Sequence, residues 1–284
     1  MKNKKTKKYI VLTTCFILLF ALITWITWGN TALELNTYKI ESCDLPDNFK
    51  GYKIAHVSDL HNAEMGASNE KLLKMLSDAE PDIIAITGDI IDSRRTDIDI
   101  ALSFAREAMK IAPCYYVTGN HEARISDYDK LIRGLCELGV TVLDNAFIEI
   151  WRGDEKIILM GVADPSFKAD YLFGDESEIA QSALQNLTKN KDSFTVLLSH
   201  RPELFDVYSE NNIDLALTGH AHGGQFRLPF VGGVVAPDQG FFPRYDSGIY
   251  KNKDTIMVVS RGIGNSIIPF RINNRPEVIL IELA

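Results

Sequence analysis

Apolar residues along this chain fall into three patterns, and each predicts a different kind of element. The first is a run of twenty uncharged residues from Tyr9 to Trp28, preceded by Lys2, Lys4, Lys5, Lys7 and Lys8. As a helix, such a run spans the roughly 30 Å of a bilayer's hydrocarbon core. Trp25 and Trp28 close it as interfacial anchors, and the one-sided lysine cluster predicts a cytoplasmic N-terminus with everything beyond the helix outside the cell membrane. The run is longer than the core of a usual signal peptide, and the nearest small-residue site, around Ala32, lacks a small residue at Asn30; an uncleaved single-pass anchor is therefore favoured over a cleaved leader.

The second pattern is a set of short runs rich in β-branched and aromatic residues, at 54–58, 83–87, 115–118, 195–199 and 215–218, with two more at 255–260 and 277–283. These predict buried strands. The third is apolar residues at helical spacing between those runs, at 69–79, 98–111, 127–138 and 176–189. Strands alternating with helices define an α/β class. The division that follows is a Lys-rich tip and anchor over 1–30, a linker over 31–49 and one domain over 50–284, whose roughly 235 residues suffice for a single large core.

Charge narrows the function. Without the five anchor lysines, 25 basic residues face 38 acidic ones, a net of −13. That balance gives no support to nucleic-acid binding, which calls for a basic face, and it suits a domain that gathers divalent cations. Cys43, Cys114 and Cys136 are the thiols beyond the anchor; their spacing is not that of a metal site, and they allow at most one disulfide.

The chemistry sits where the strands end. The runs at 54–58, 83–87, 115–118, 195–199 and 215–218 lead into Asp59-Leu60-His61, Gly88-Asp89, Gly119-Asn120-His121-Glu122, His200 and Gly219-His220-Ala221-His222. Five of the six histidines are used up in this way. Asp, Asn and His together offer the hard oxygens and imidazole nitrogens that Mn²⁺, Fe²⁺ or Zn²⁺ accept. Open α/β sheets bring strand carboxyl ends to one crevice, so the motifs can converge although about 160 residues separate the first from the last. Gly88, Gly119 and Gly219 are expected at sharp turns with positive φ.

A two-ion centre then assigns roles. Asp89 is the bridging carboxylate between ions about 3.5 to 4 Å apart. One ion takes Asp59, His61 and His222, and the other takes Asn120, His200 and His220. Alternation in an extended 220–222 segment is expected to put both imidazoles on one side. Hydroxide activated by the metals would attack phosphorus in line. His121 is the candidate proton donor to the leaving oxygen, oriented by Glu122 or Asp92. His56, alternating with apolar neighbours in the first strand, is read as structural.

These five blocks, in this order, resemble the calcineurin-like metallophosphoesterase superfamily, over roughly residues 50–284. The resemblance implies a four-layer α/β/β/α sandwich of two mixed sheets, two divalent ions (Mn, Zn or Fe) on the ligands above, and His121 as the catalytic histidine. One departure matters: phosphoprotein phosphatases continue Gly-Asp-x-x-Asp-Arg, whereas Ser93 follows Asp92 here. That argues against a protein phosphatase and leaves the phosphate-clamping arginine open: Arg94, Arg244 and Arg261 are the candidates, and they, like Arg95, equally fit surface charges. The 223–230, 241–248 and 260–262 segments are similar to a bacterial, membrane-linked branch whose members are named by likeness to UDP-2,3-diacylglucosamine pyrophosphatases. Phe226, Phe230, Phe241 and Phe242 read as core, or else as an apolar rim to the site. The function expected is hydrolysis of phosphodiester or pyrophosphate bonds in a small-molecule or lipid-linked envelope metabolite. The alternatives are a sugar-nucleotide lipid pyrophosphatase, whose substrate, made in the cytoplasm, would not meet an exported domain, and a non-catalytic metal-binding surface module.

Overall fold

The computed structural model describes residues 2–168, 175–189, 191–265 and 267–284. The first element is α1 (Lys2–Thr31), a helix whose apolar side chains face outward along most of its length. It is the one described helix long and apolar enough to cross a membrane.

Beyond α1 come β1 (Glu34–Ile40), β2 (Lys53–Val57), α2 (Glu70–Ala79), β3 (Ile83–Thr87), α3 (Ile98–Ala108), β4 (Cys114–Val117), α4 (Tyr128–Glu137) and β5 (Thr141–Val142). The hairpin β6 (Ala146–Arg152) and β7 (Glu155–Gly161) follows, then α5 (Glu176–Leu187), β8 (Thr195–Leu198), α6 (Phe205–Glu210) and β9 (Leu215–Thr218). Two small hairpins, β10 (Arg227–Leu228) with β11 (Gly232–Gly233) and β12 (Val235–Ala236) with β13 (Gly240–Phe241), precede β14 (Gly248–Asn252), β15 (Thr255–Val259) and β16 (Glu277–Leu283).

The large strands form two six-stranded mixed sheets, in orders β1-β16-β2-β3-β4-β5 and β14-β15-β9-β8-β7-β6. Period-2 alternation sorts their side chains onto two faces. In β2, Ile54 faces the other sheet, whereas Ala55 and Val57 face helices. Ile54, Ile83 and Val117 meet Leu159, Val196, Leu217 and Val258 in the inter-sheet core. Ile84 and Ile86 pack on Leu72, Phe104 and Leu135 of α2 to α4, and Leu197 and Met257 pack on Leu184 and Phe205 of α5 and α6. The result is the four-layer α/β/β/α sandwich expected.

Two expectations change. Residues 34–40, read as linker, form edge strand β1, paired in parallel with β16 over seven residues. Its polar, half-exposed pattern is that of an edge strand with one covered face. Phe230, Phe241 and Phe242, read as core, are exposed, and Phe226 is half-buried. They belong to the small hairpins, which are too short to cover them.

Candidate metal centre

The parallel strands β2, β3 and β4 of one sheet and β8 and β9 of the other all end at one place. The backbone there is bent hard: Asp59, His61, Asp89, His220 and His222 all have left-handed φ between 46° and 64°. Each costs about 1–2 kcal/mol for an L-residue, and such strain persists where surrounding structure enforces it. His220-Ala221-His222 is consequently no extended segment, because Ala221 lies at φ −72°, ψ −14° between two left-handed residues. Turn geometry, rather than strand alternation, aims the two imidazoles.

Glycines make room for this crowding. Gly88 has φ 81°, as expected for a sharp turn. Gly119 and Gly219 do not share that conformation; they are needed for close approach. A Cβ at Gly119 would lie 2.3 Å from Asp89 Oδ1, and one at Gly219 would lie 1.9 Å from Ser58 Oγ and 2.3 Å from Asp59 Oδ2.

All seven predicted ligand residues are buried in one cluster. Asp59, His61 and His222 present ligand atoms within 4.8 Å of one another, and so do Asp89, His200 and His220. His61 Nε2 lies 3.2 Å from His222 Nε2 and 3.8 Å from Asp59 Oδ1. On the other side, His200 Nε2 lies 3.1 Å from His220 Nδ1 and 3.2 Å from Asn120 Oδ1. Asp89 joins the halves, with Oδ2 3.2 Å from His200 Nε2 and 3.5 Å from His61 Nε2.

Outer partners aim these rings. His200 Nδ1–H donates to the Thr87 carbonyl at 2.8 Å, which turns the Nε2 lone pair inward. His220 Nε2–H donates to Asp238 at 2.9 Å and leaves Nδ1 for the cluster. That hydrogen bond holds the Asp238 carboxyl down at about 2. Asp238 in turn pairs at 2.5 Å with Arg201, a fully buried guanidinium that also grips Asp164 at 2.7 Å. Asp238→Ala is expected to weaken binding of the ion beside His220 by about 10- to 100-fold, as loss of an outer-shell partner typically does. Calorimetric metal titration checks it; unchanged affinity in both binding steps would refute the role.

Electrostatics test whether cations fit. The ion-pair partners of Asp59 and Asp89 among the described residues are histidines, with no lysine or arginine in contact range. Two carboxylates so deeply buried call for positive charge. Burial would push the His200 ring down, yet Asp89 carries it up to about 10. Burial would likewise raise Asp59, yet His222 and His61 hold its carboxyl low. The site therefore draws cations, from protons if nothing else is bound. Asn120 can serve the site in either of two orientations. With Oδ1 inward it adds a further lone pair; turned over, its NH₂ donates to His200, His220 and Asp89, and its oxygen accepts from Arg124 at 3.1 and 3.2 Å. The surrounding donors and acceptors favour the second orientation, and a bound cation would favour the first.

The residues around His121 are arranged differently from expectation. Glu122 does not orient it: its carboxylate accepts from the backbone N–H groups of Asp89, Gly119 and Ile91 and so ties two strand-end turns together. Asp92 lies 3.7 Å from His121 Nδ1 and accepts instead from the backbone and side chain of Arg94. Ser93 N–H donates to Nδ1 at 3.0 Å. A neutral His121 ring then carries its proton on Nε2. Burial lowers its pKa to about 4.

The arginines divide as well. Arg261 is held between Glu34 at 2.9 Å and Glu277 at 2.8 Å. Arg244 lies over the Tyr245 ring at 5.0 Å, and Arg94 is engaged with Asp92 at 3.1 Å. Arg124, which no motif marks, is the arginine against Asn120. Arg271, likewise outside every motif, is fully buried with Nη2 3.5 Å from His222 Nδ1. His56 is buried between the sheets, 2.7 Å from Thr87 Oγ1, and burial lowers its pKa to about 3.

A sandwich of two mixed sheets with buried Asp, Asn and His clusters at the strand ends defines a metal-dependent phosphoric ester hydrolase. The chain belongs to the calcineurin-like phosphoesterases, whose family model matches residues 52–224. The phosphodiesterase YaeI of Escherichia coli strain K12 is 29% identical over 252 residues, covering 84% of each chain. A transmembrane protein with metallophosphoesterase domain from Danio rerio is 27% identical across 84% of this chain, which spans 54% of that protein. The crystal structure of TT1561 from Thermus thermophilus shares the fold, with TM-score 0.52 and 17% identity, over 75% of this chain and 90% of that one. Family membership brings dinuclear metal dependence, and the clusters provide for it.

Proposed function

We propose that this chain is a membrane-anchored phosphodiesterase or pyrophosphatase acting on small or lipid-linked envelope metabolites, with its catalytic domain on the outer side of the cell membrane. The observation that carries the reading is the pair of buried carboxylates, Asp59 and Asp89, whose ion-pair partners among the described residues are imidazoles. In it, Asp59, His61 and His222 would hold one divalent ion, Asn120, His200 and His220 would hold the other, and Asp89 would serve both. Mn, Zn and Fe all suit this donor set. Two such ions supply an activated water and neutralise charge on the phosphoryl oxygens.

The protein's own groups do the rest. His121 stands at the edge of the cluster, its ring 4.5 Å from that of His61, and offers Nε2–H to the leaving oxygen. Arg124 is exposed beside Asn120 and is placed to meet a phosphate that enters. Residues 1–30 form the anchor and its tip. Five lysines before the apolar run support a cytoplasmic N-terminus.

Full-length protein in detergent, stripped of metal and titrated separately with Mn²⁺, Zn²⁺ and Fe²⁺, tests the enzyme. Turnover of bis(p-nitrophenyl) phosphate is expected to rise until two equivalents are bound. Tight binding of two ions without turnover of this diester or of pyrophosphate substrates would replace the reading with a binding module.

A further inference from the structure

The end of α1 is locked onto the loop that flanks the metal centre. Asn30, in the helix's last turn, donates from Nδ2 to the Arg271 carbonyl at 2.9 Å and accepts the Arg271 N–H on Oδ1 at 2.7 Å. Arg275 lies over the Trp28 ring at 4.9 Å and donates to the carbonyls of Ala32 and Leu33. From Arg271 the chain reaches His222 directly, and Asn274 donates to the His222 carbonyl at 2.7 Å.

That same loop is stitched to the small hairpins. Gln225 Nε2 donates to the carbonyls of Ile268 and Phe270, Arg227 N–H donates to Ile272, and Phe226 packs on Phe270 with ring centroids 5.5 Å apart. Val234 N–H donates to Gly224 and Phe226, and Phe242 N–H donates to Val234. Helix end, loop, hairpins and His222 thus form one hydrogen-bonded block. The block carries large apolar side chains in the open: Phe230 is wholly exposed, Ile267 80%, Phe241 77%, Phe242 63%, Val231 60% and Phe270 40%.

A cluster of exposed aromatic and aliphatic side chains beside a site needs an apolar partner. The adjoining helix identifies it. Trp25 and Trp28 mark where the apolar run of α1 meets water, and the loop bonded at Asn30 lies at that level. Aromatic and aliphatic side chains at that level enter the boundary between headgroups and acyl chains. We propose that Phe230, Phe241, Phe242 and Ile267 dip into the bilayer that α1 crosses, so that the metal centre opens at the level of the lipid headgroups. The proposal rests on the reading of α1 as a membrane anchor and names the surface from which that site draws its phosphate esters.

The test is quenching by brominated lipid. Full-length chain carrying Trp25→Phe and Trp28→Phe retains Trp151, which lies opposite Lys156 at the amino end of β7, away from the strand ends that bear the site. A second pair of chains adds Trp151→Phe with Phe230→Trp or Phe241→Trp. All are reconstituted into vesicles of phosphatidylcholine and phosphatidylglycerol with brominated acyl chains. Tryptophan at 230 and 241 is expected to be quenched at least about twofold more than at 151. Equal quenching in chains that float with the vesicles would overturn the docking rim and leave the anchor standing. Chains that do not float with vesicles would overturn anchor and rim together. Turnover of bis(p-nitrophenyl) phosphate by the same preparations tells separately whether the phosphoesterase reading survives.

Discussion

Asp89→Asn is expected to lower turnover of phosphodiesters by about 10³-fold or more, the largest loss for any single change in this chain. Asp89 is the carboxylate that faces both histidine pairs, with one oxygen 3.2 Å from His200 and 3.5 Å from His61. Its other oxygen accepts the His121 N–H at 2.8 Å. Asparagine can keep that second bond, so the local backbone has no cause to move. What it removes is one of the two negative charges that draw cations into the site. Metal analysis should then read one tightly held ion instead of two. The metal-free variant should also unfold more easily than the parent at neutral pH, since His200 and His61 lose the buried carboxylate that pairs with them. Turnover above about a tenth of the parent value, with two ions still bound, would remove Asp89 from the bridging position.

The contrast between Asp89 and its neighbours shows what the sequence revealed and what it concealed. The ligand residues were legible because each follows directly on an apolar run, and the strand end itself does the positioning. Strand bounds agree to within a residue: 83–87, 215–218 and 277–283 coincide with β3, β9 and β16. Helix ends are less sharp, as at α3, which stops at Ala108 where the apolar spacing ran on to residue 111. The residues that aim the ligands were not legible. Asp238 meets His220 across eighteen residues, Arg271 meets His222 across forty-nine, and no local pattern marks either one. Arg201 and Asp164 leave a fainter trace, since Arg201 follows His200 and Asp164 lies just past the end of β7.

Glu122 was misplaced for a related reason. Its position after His121 suggests a partner for that ring, but burial turns it toward backbone donors that have no other acceptor. Edge strand β1 was hidden by chemistry of the opposite kind. A strand covered on one side carries too few apolar residues to stand out, and only its register with β16 reveals it.

His121→Ala is expected to cost about 10²- to 10³-fold in turnover, with a loss that grows as the leaving group becomes more basic. The geometry makes a finer statement than the residue type alone. Ser93 N–H points at Nδ1, so protonating that nitrogen would set two donors against each other, and burial already lowers the ring's pKa to about 4. At neutral pH the ring is therefore uncharged, with its proton on Nε2. A neutral imidazole gives up that proton at great cost, but it donates a hydrogen bond readily, as a neutral histidine does when it polarises a carbonyl. His121 should thus stabilise charge on the leaving oxygen without transferring a proton in full. Two comparisons separate the possibilities. For p-nitrophenolate, which leaves as an anion unaided, the alanine variant should lose roughly tenfold less than for an alkyl alcohol. His121→Gln, which restores an N–H donor, should recover part of the alkyl-ester rate, whereas a proton-transfer role predicts that glutamine does no better than alanine. If glutamine and alanine behave alike on alkyl esters, His121 is a full general acid that takes up a proton on Nδ1 before giving up the one on Nε2, and Asp92, 3.7 Å away, must turn from Arg94 to accept a hydrogen bond from Nδ1–H.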